Sequence, residues 1–250
     1  KGGHDMSNIA AFFDIDGTLY REGLITEIFK KLIKSEIIDK QRWYNEVREK
    51  YIKWDKRIGN YDDYLIKMAE IYIDAIKGLH KTQIEFIAGK VIEQKGDRVY
   101  TYTRNKIKWH TEQGHKVITV SGSPFELVSA MSKKHGFHDF IGSMYLTDDR
   151  DIYTGEVTPM WDSVNKKKAI NELVKKYDID LNRSYAYGDT AGDFSMLKSV
   201  AFPVAINPTR ELVNKLKNDS QTSTKAQIIV ERKDMVYKLS PSDIIFEDNV

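Results

Sequence analysis

The 250-residue chain predicts a doubly wound α/β fold, a largely parallel sheet flanked by helices, with an all-helical segment inserted after the first strand. Three observations predict it. "NIAAFFDI" (8–15) is an apolar run without polar alternation, the pattern of a strand covered on both faces. Similar runs return at "HKVITVSGS" (115–123), "SYAYGDT" (184–190) and "AFPVAIN" (201–207), separated by helical patterns. Residues from 24 to about 113 contain no strand pattern at all.

Each element has a local reason. "PFELVSAMSKKHG" opens on a proline and closes on a glycine, and "NKKKAINELVKKYD" puts Ala169, Ile170 and Leu173 on one helical face. The inserted segment reads as successive amphipathic helices with breaks near Asp39, Gly59, Gly78 and Gly96. Its aromatic residues Trp43, Tyr44, Tyr51, Trp54, Tyr61, Tyr64 and Tyr72 recur at helical spacing and are read chiefly as core. "SMYLTDDRDIYTGEV" (143–157) reads as a hairpin. The expected organisation is an α/β core from 6–20 and 105–232, a helical cap from 21–104 and a polar C-terminal tail from 233–250. Lys1 to Asp5, ahead of Met6, read as a tag remnant.

Composition excludes several classes. Lys and Arg number 39 against 37 Asp and Glu, so no overall field draws the chain to nucleic acid or to a membrane. There are no cysteines, which removes disulfides, thiolate metal sites and cysteine nucleophiles together. No apolar run approaches the roughly 18 to 20 residues that span a bilayer, and "KGGHDMSN" lacks the apolar centre of a signal peptide. A cytoplasmic location is expected.

The chemistry gathers where the predicted strands end. Asp14 and Asp16 leave the first strand one residue apart, so extended geometry points both carboxylates the same way. One can attack phosphorus while the other protonates the leaving oxygen and then deprotonates water. An Asx turn explains one aspartate but not the pair. Gly17 and Thr18 follow where the backbone must turn. In "VSGSP" (120–124) Ser121 and the Gly122 amide can hold a phosphoryl oxygen ahead of a helix N-terminus. An ordinary capped turn has the same pattern. "YGDTAGDFSML" (187–197) offers Asp189 and Asp193, hard oxygen ligands of the kind Mg²⁺ takes. Lys166, Lys167 and Lys168 are three candidates for a charge-balancing lysine.

Together these residues resemble the haloacid dehalogenase superfamily. D-x-D-G-T stands at Asp14 to Thr18, the serine of "TVSGS" at Ser121, a helix-opening lysine follows, and G-D-x-x-x-D stands at Gly188 to Asp193. The inserted helices are similar to the cap of subfamily IB, the phosphoserine-phosphatase-like branch. The resemblance implies an Mg²⁺-dependent phosphomonoesterase acting on a small phosphorylated metabolite through an aspartyl-phosphate. Asp14 would be the nucleophile and Asp16 the general acid and base. Thr18, Ser121, Gly122 and a lysine would hold the phosphoryl group. Asp14, Asp16, Asp189 and Asp193 would surround the metal. Apolar residues three, four and seven positions after the lysine select Lys166. Phosphoryl transfer to an acceptor other than water, and phosphoserine phosphatase proper, are the alternatives; a phosphoaspartate signalling protein and a non-catalytic binding protein rank below them.

The chain departs from that branch around its substrate. Gly17 replaces a usual serine, Gly23 stands where a glutamate is usual with Glu22 one residue short, and Met68 aligns with a carboxylate-gripping cap arginine. Arg21, Glu22 and Lys67 are the candidates to compensate.

Overall fold

The computed structural model describes residues 7–59 and 61–247; the expected tag remnant lies outside them, as does the side chain of Tyr61. The described strands are β1 (Ala10–Phe13), β2 (Lys116–Pro124), β3 (Asp139–Thr147), β4 (Tyr153–Thr158), β5 (Tyr185–Gly188), β6 (Phe202–Ile206), β7 (Gln227–Arg232) and β8 (Met235–Leu239). They form one sheet in the order β4-β3-β2-β1-β5-β6-β7-β8. Pairing from β3 through β7 is parallel, while β4 and β8 are antiparallel at the two edges.

Five helical segments lie between β1 and the core helix that feeds β2. These are α1 (Leu24–Lys34), α2 (Lys40–Arg42), which runs through a π-turn at Trp43–Val47 into α3 (Arg48–Asp55), then α4 (Tyr61–Ile76) and α5 (Lys81–Lys95). The breaks between them fall where Asp39, Gly59, Gly78 and Gly96 predicted. Asp39 caps α2 through its side chain, which accepts from the Gln41 amide at 2.9 Å. Helix α6 (Thr101–Glu112) is continuous across the expected 104/105 boundary. The remaining helices are α7 (Phe125–His135), α8 (Ser163–Tyr177), α9 (Phe194–Ser199), α10 (Arg210–Asn218) and α11 (Thr222–Lys225).

β1 is buried along its whole length, and its side chains alternate between two cores. Ala11 and Phe13 face a cluster that takes in α7 and the inserted helices, with Ile28, Met68 and Tyr72 among its members. Ala10 and Phe12 face a second cluster built on Ile170 and Leu173 of α8, Leu197 of α9 and Leu212 of α10. The insertion therefore shares one core with the sheet. Of its aromatic residues Tyr64 and Tyr72 are buried, Trp43, Tyr51 and Trp54 pack against the cluster, and Tyr44 is exposed.

The end of the chain contains more order than its composition suggests. Lys233 takes φ +55°, which turns the chain back so that β8 pairs with β7. Four of the five β8 residues are exposed, so the strand has no apolar face by which a sequence reading finds it.

Candidate active site

The register of three strands sets the site at one height. Phe13 lies beside Thr119 of β2 and Tyr187 of β5, so Asp14, Ser121 and Asp189 all leave the sheet within two residues of that level. β1 is also where the chain's path reverses, with β2 and β3 on one side and β5 to β7 on the other. Ligands of open α/β sheets bind at such a switch point. Alternation carries Asp14 to the face of Ala10 and Phe12, which is the α8 side, and Lys166 rises there from the first turns of α8.

The Lys166 ammonium is buried and donates to Asp14 Oδ1 at 2.8 Å and to Asp193 Oδ1 at 2.5 Å. Lys167 and Lys168 are exposed, so burial singles out the lysine that helical spacing selects. Asp193 Oδ2 accepts from the Asp189 and Thr190 amides at 3.0 and 3.1 Å, which ties the Asp189 turn to the same lysine. Asp189 Oδ1 accepts from Thr18 Oγ1 at 3.1 Å. Asp16 accepts from the Leu24 amide at 2.9 Å and from Ser123 Oγ at 2.5 Å. Ser121 Oγ accepts from the Ser123 amide at 3.2 Å.

Burial dominates the electrostatics. It pushes the Asp14 carboxyl up to about 7, against the pull of Lys166 and with the help of Asp193 and Asp16. Asp16 is raised by burial against the bonds from Ser123 and Leu24, and Asp189 is raised well above the ordinary range by burial, then by Asp14 and Asp193. Burial also opposes the Lys166 charge, but Asp14 and Asp193 outweigh it and hold the ammonium above its usual range. Carboxylate oxygens of Asp14, Asp189 and Asp193 lie within 4.8 Å of one another. One ammonium does not balance three such groups, and hard oxygen donors in excess of cations suit Mg²⁺.

Glycine is required where the loop passes this cluster. Gly17 takes φ +79°, and a Cβ there would meet Asp189 Oδ2 at 2.0 Å. At Gly122 a Cβ would meet Trp161 Cβ at 2.9 Å, because the β4–α8 connection crosses directly over the turn after β2.

The structure brings together Asp14, Asp16, Thr18, Ser121, Gly122, Lys166, Asp189 and Asp193. It does not bring Arg21, Glu22 or Lys67 to them. Tyr20 bridges to Val99, and from there Arg21 donates to the Val99 carbonyl at 3.0 Å and approaches Glu231, while Glu22 accepts from Arg98 at 3.2 Å. Lys67 pairs with Glu70 and Glu46. Sequence reasoning missed Ser123 and Trp161. The second serine of "SGSP" was a legible signal for the first; the approach of Trp161 to Gly122 joins distant segments and left none.

Comparison with known proteins agrees with this geometry. The family model of haloacid dehalogenase-like hydrolases matches residues 11–198. The chain belongs to that family. This haloacid dehalogenase-like hydrolase is 28% identical over 211 residues to an inhibition of morphological differentiation protein of Streptomyces azureus, covering 84% of this chain and 75% of the relative. It is 29% identical over 117 residues to a phosphoserine phosphatase of Mycobacterium tuberculosis, covering 46% of this chain and 38% of that protein. A solved phosphoserine phosphatase with a phospho-aspartyl intermediate analogue superimposes with a TM-score of 0.59 at 22% identity, covering 91% of this chain and 95% of the other, a likeness of fold. The enzyme is a phosphatase of the family. No helix among its described residues is long and apolar enough to cross a membrane.

Proposed function

We propose that the enzyme hydrolyses a small phosphomonoester through an aspartyl-phosphate on Asp14. The observation that supports this reading most is the buried Lys166 ammonium held between Asp14 and Asp193 beside the Asp189 carboxylate. Asp14 Oδ attacks phosphorus, the bond to the leaving oxygen breaks, and a proton from Asp16 neutralises that oxygen. Asp16 then takes a proton from water, the resulting hydroxide attacks phosphorus, and the bond to Asp14 breaks to release phosphate. The raised carboxyl of Asp16 suits it to carry the first proton. Ser121 Oγ, the Gly122 amide and Lys166 bind the phosphoryl oxygens in this scheme, and Thr18 orients Asp189.

Mg²⁺ would be held by Asp14, Asp189, Asp193 and the Asp16 main chain, and when bound it supplies Lewis-acid neutralisation of phosphoryl charge. The inserted helices α1 to α5 act as the cap that covers the leaving group. Phosphoserine is disfavoured as the substrate, because Met68 occupies the aligned arginine position and is fully buried, while Arg21, Glu22 and Lys67 are engaged elsewhere. Phosphate release from a broad set of phosphomonoesters, with and without Mg²⁺, tests the reading. Release by the wild type with Mg²⁺ and its loss on chelation or in Asp14→Asn are expected; release that survives either change overturns it.

A further inference from the structure

A cavity in the insertion gathers positive charge that the strand-end chemistry does not use. Lys30, Lys31 and Lys34 stand with Glu27 on one stripe of α1, at spacings of three, one and three residues. Lys95 ends α5, and Arg98 follows it. All six side chains line one opening of about 160 Å³ between the two helices. Five cations therefore share it with a single carboxylate, in a chain whose net charge is only +2.

Local pairing does not neutralise them. Among the described residues no carboxylate pairs with Lys31, Lys34 or Lys95. Glu27 is buried and its Oε1 accepts no hydrogen bond, because the Lys30 ammonium stops at 3.8 Å and the Arg98 guanidinium at 3.9 Å. The carboxylate draws both cations to the cavity and leaves their donors available. Arg98 gives one bond to Glu22 at 3.2 Å, and a guanidinium has five N–H groups. Cations favour the last turn of a helix, which accounts for Lys31, Lys34 and Lys95 at their separate helix ends. It does not account for their meeting Lys30 and Arg98 around one opening.

The donor set specifies the ligand. Ammonium and guanidinium groups on two helices match several anionic oxygens a few ångströms apart, more than one carboxylate or one orthophosphate presents. A concave opening of this size fits a small molecule. We propose that the α1–α5 cavity binds a small polyphosphate anion, the diphosphate or triphosphate moiety of a soluble compound, at a site separate from the strand-end aspartates. Such a ligand would tie α1 to α5 and relieve the mutual repulsion of their cations.

Calorimetric titration of the full chain with sodium tripolyphosphate tests it, in metal-free buffer so that no cation complexes the ligand. Binding at one site per chain with a Kd below about 1 mM is expected, weakened about tenfold or more in Lys31→Gln/Lys34→Gln/Lys95→Gln. Lys50→Gln/Lys53→Gln/Lys56→Gln removes the same charge from exposed positions on α3 and at its end, and should bind as the wild type does. The ligand should also raise the melting temperature of the wild type and of this control, but not of the α1–α5 variant. A wild-type Kd above that limit, undiminished binding in the α1–α5 variant, or equal weakening in both variants overturns the proposal. Orthophosphate bound as tightly as tripolyphosphate also overturns it. If the triple variant does not fold, Lys34→Gln alone carries the comparison, with a weakening of about threefold expected.

Discussion

Asp14, Asp16, Asp189 and Asp193 share the strand-end site with Lys166, Thr18, Ser123 and backbone amides, and none of the described buried atoms left without a partner belongs to it. Glu126 shares its surroundings with three tyrosines, pairs with no cation among the described residues, and like Tyr72 keeps an orphaned oxygen. The first cluster is built on one rigid sheet whose register fixes the distances. The second joins the core to the insertion. The contrast teaches that the sheet holds its buried charges in mutually satisfied contacts, whereas the joint between core and insertion leaves buried polar oxygens unsatisfied.

Substitutions break this comparison in order of size. Asp16→Asn removes the proton donor while keeping the shape, so kcat falls by about 10²- to 10⁴-fold, least for p-nitrophenyl phosphate with its good leaving group; steady-state kinetics over esters of graded leaving-group pKa check it. Lys166→Met leaves Asp14 and Asp193 buried without their cation, and denaturant unfolding in a chelator should show a loss of about 3 kcal/mol or more. Added Mg²⁺ should recover part of that loss, whereas a loss under about 1 kcal/mol contradicts the assigned charge balance.

His110 probes a buried site outside both clusters. It contacts Tyr187 and His115 at 2.8 Å each, and burial, then His115 and Lys106, push it down to about 3. The unfolded chain takes up this proton below about 6.5 while the folded one resists it. Stability is therefore whole above that pH and is lost as pH falls toward 3. Thermal melts from pH 7 to 5 should show a shallower decline in His110→Asn. The smallest effect is expected at Glu22, whose pair with Arg98 is half exposed: Glu22→Gln should change stability by about 0.5 kcal/mol or less and leave KM unmoved.

Much of this was legible in the chain. Buried parallel strands are near-continuous apolar runs, so β1, β2, β5 and β6 stood out, and glycine and Asx breaks separated the inserted helices. Asp14 and Asp189 were legible because each immediately follows a strand, Ser121 because it lies near the end of one, and Asp193 because it directly precedes a helix. Lys166 was separable from its neighbours by helical phase, and its burial agrees. Arg21 and Glu22 were misplaced because the direction of the chain after Tyr20 is set by the bridge to Val99, a contact across 79 residues. Tyr72 reads as core in sequence, and it is core; that its hydroxyl would lie near Glu126 depends on how α4 docks, which periodicity does not encode.

The covalent step at Asp14 is tested most directly by acid-quenching Asp16→Asn during turnover with Mg²⁺ and mapping the phosphoryl group by mass spectrometry. A phosphoryl adduct on the peptide carrying Asp14, absent when Asp14 is also replaced by Asn, is predicted. An adduct at Ser121 or Asp189, or turnover with no adduct on the protein, would contradict the assignment of Asp14 as nucleophile.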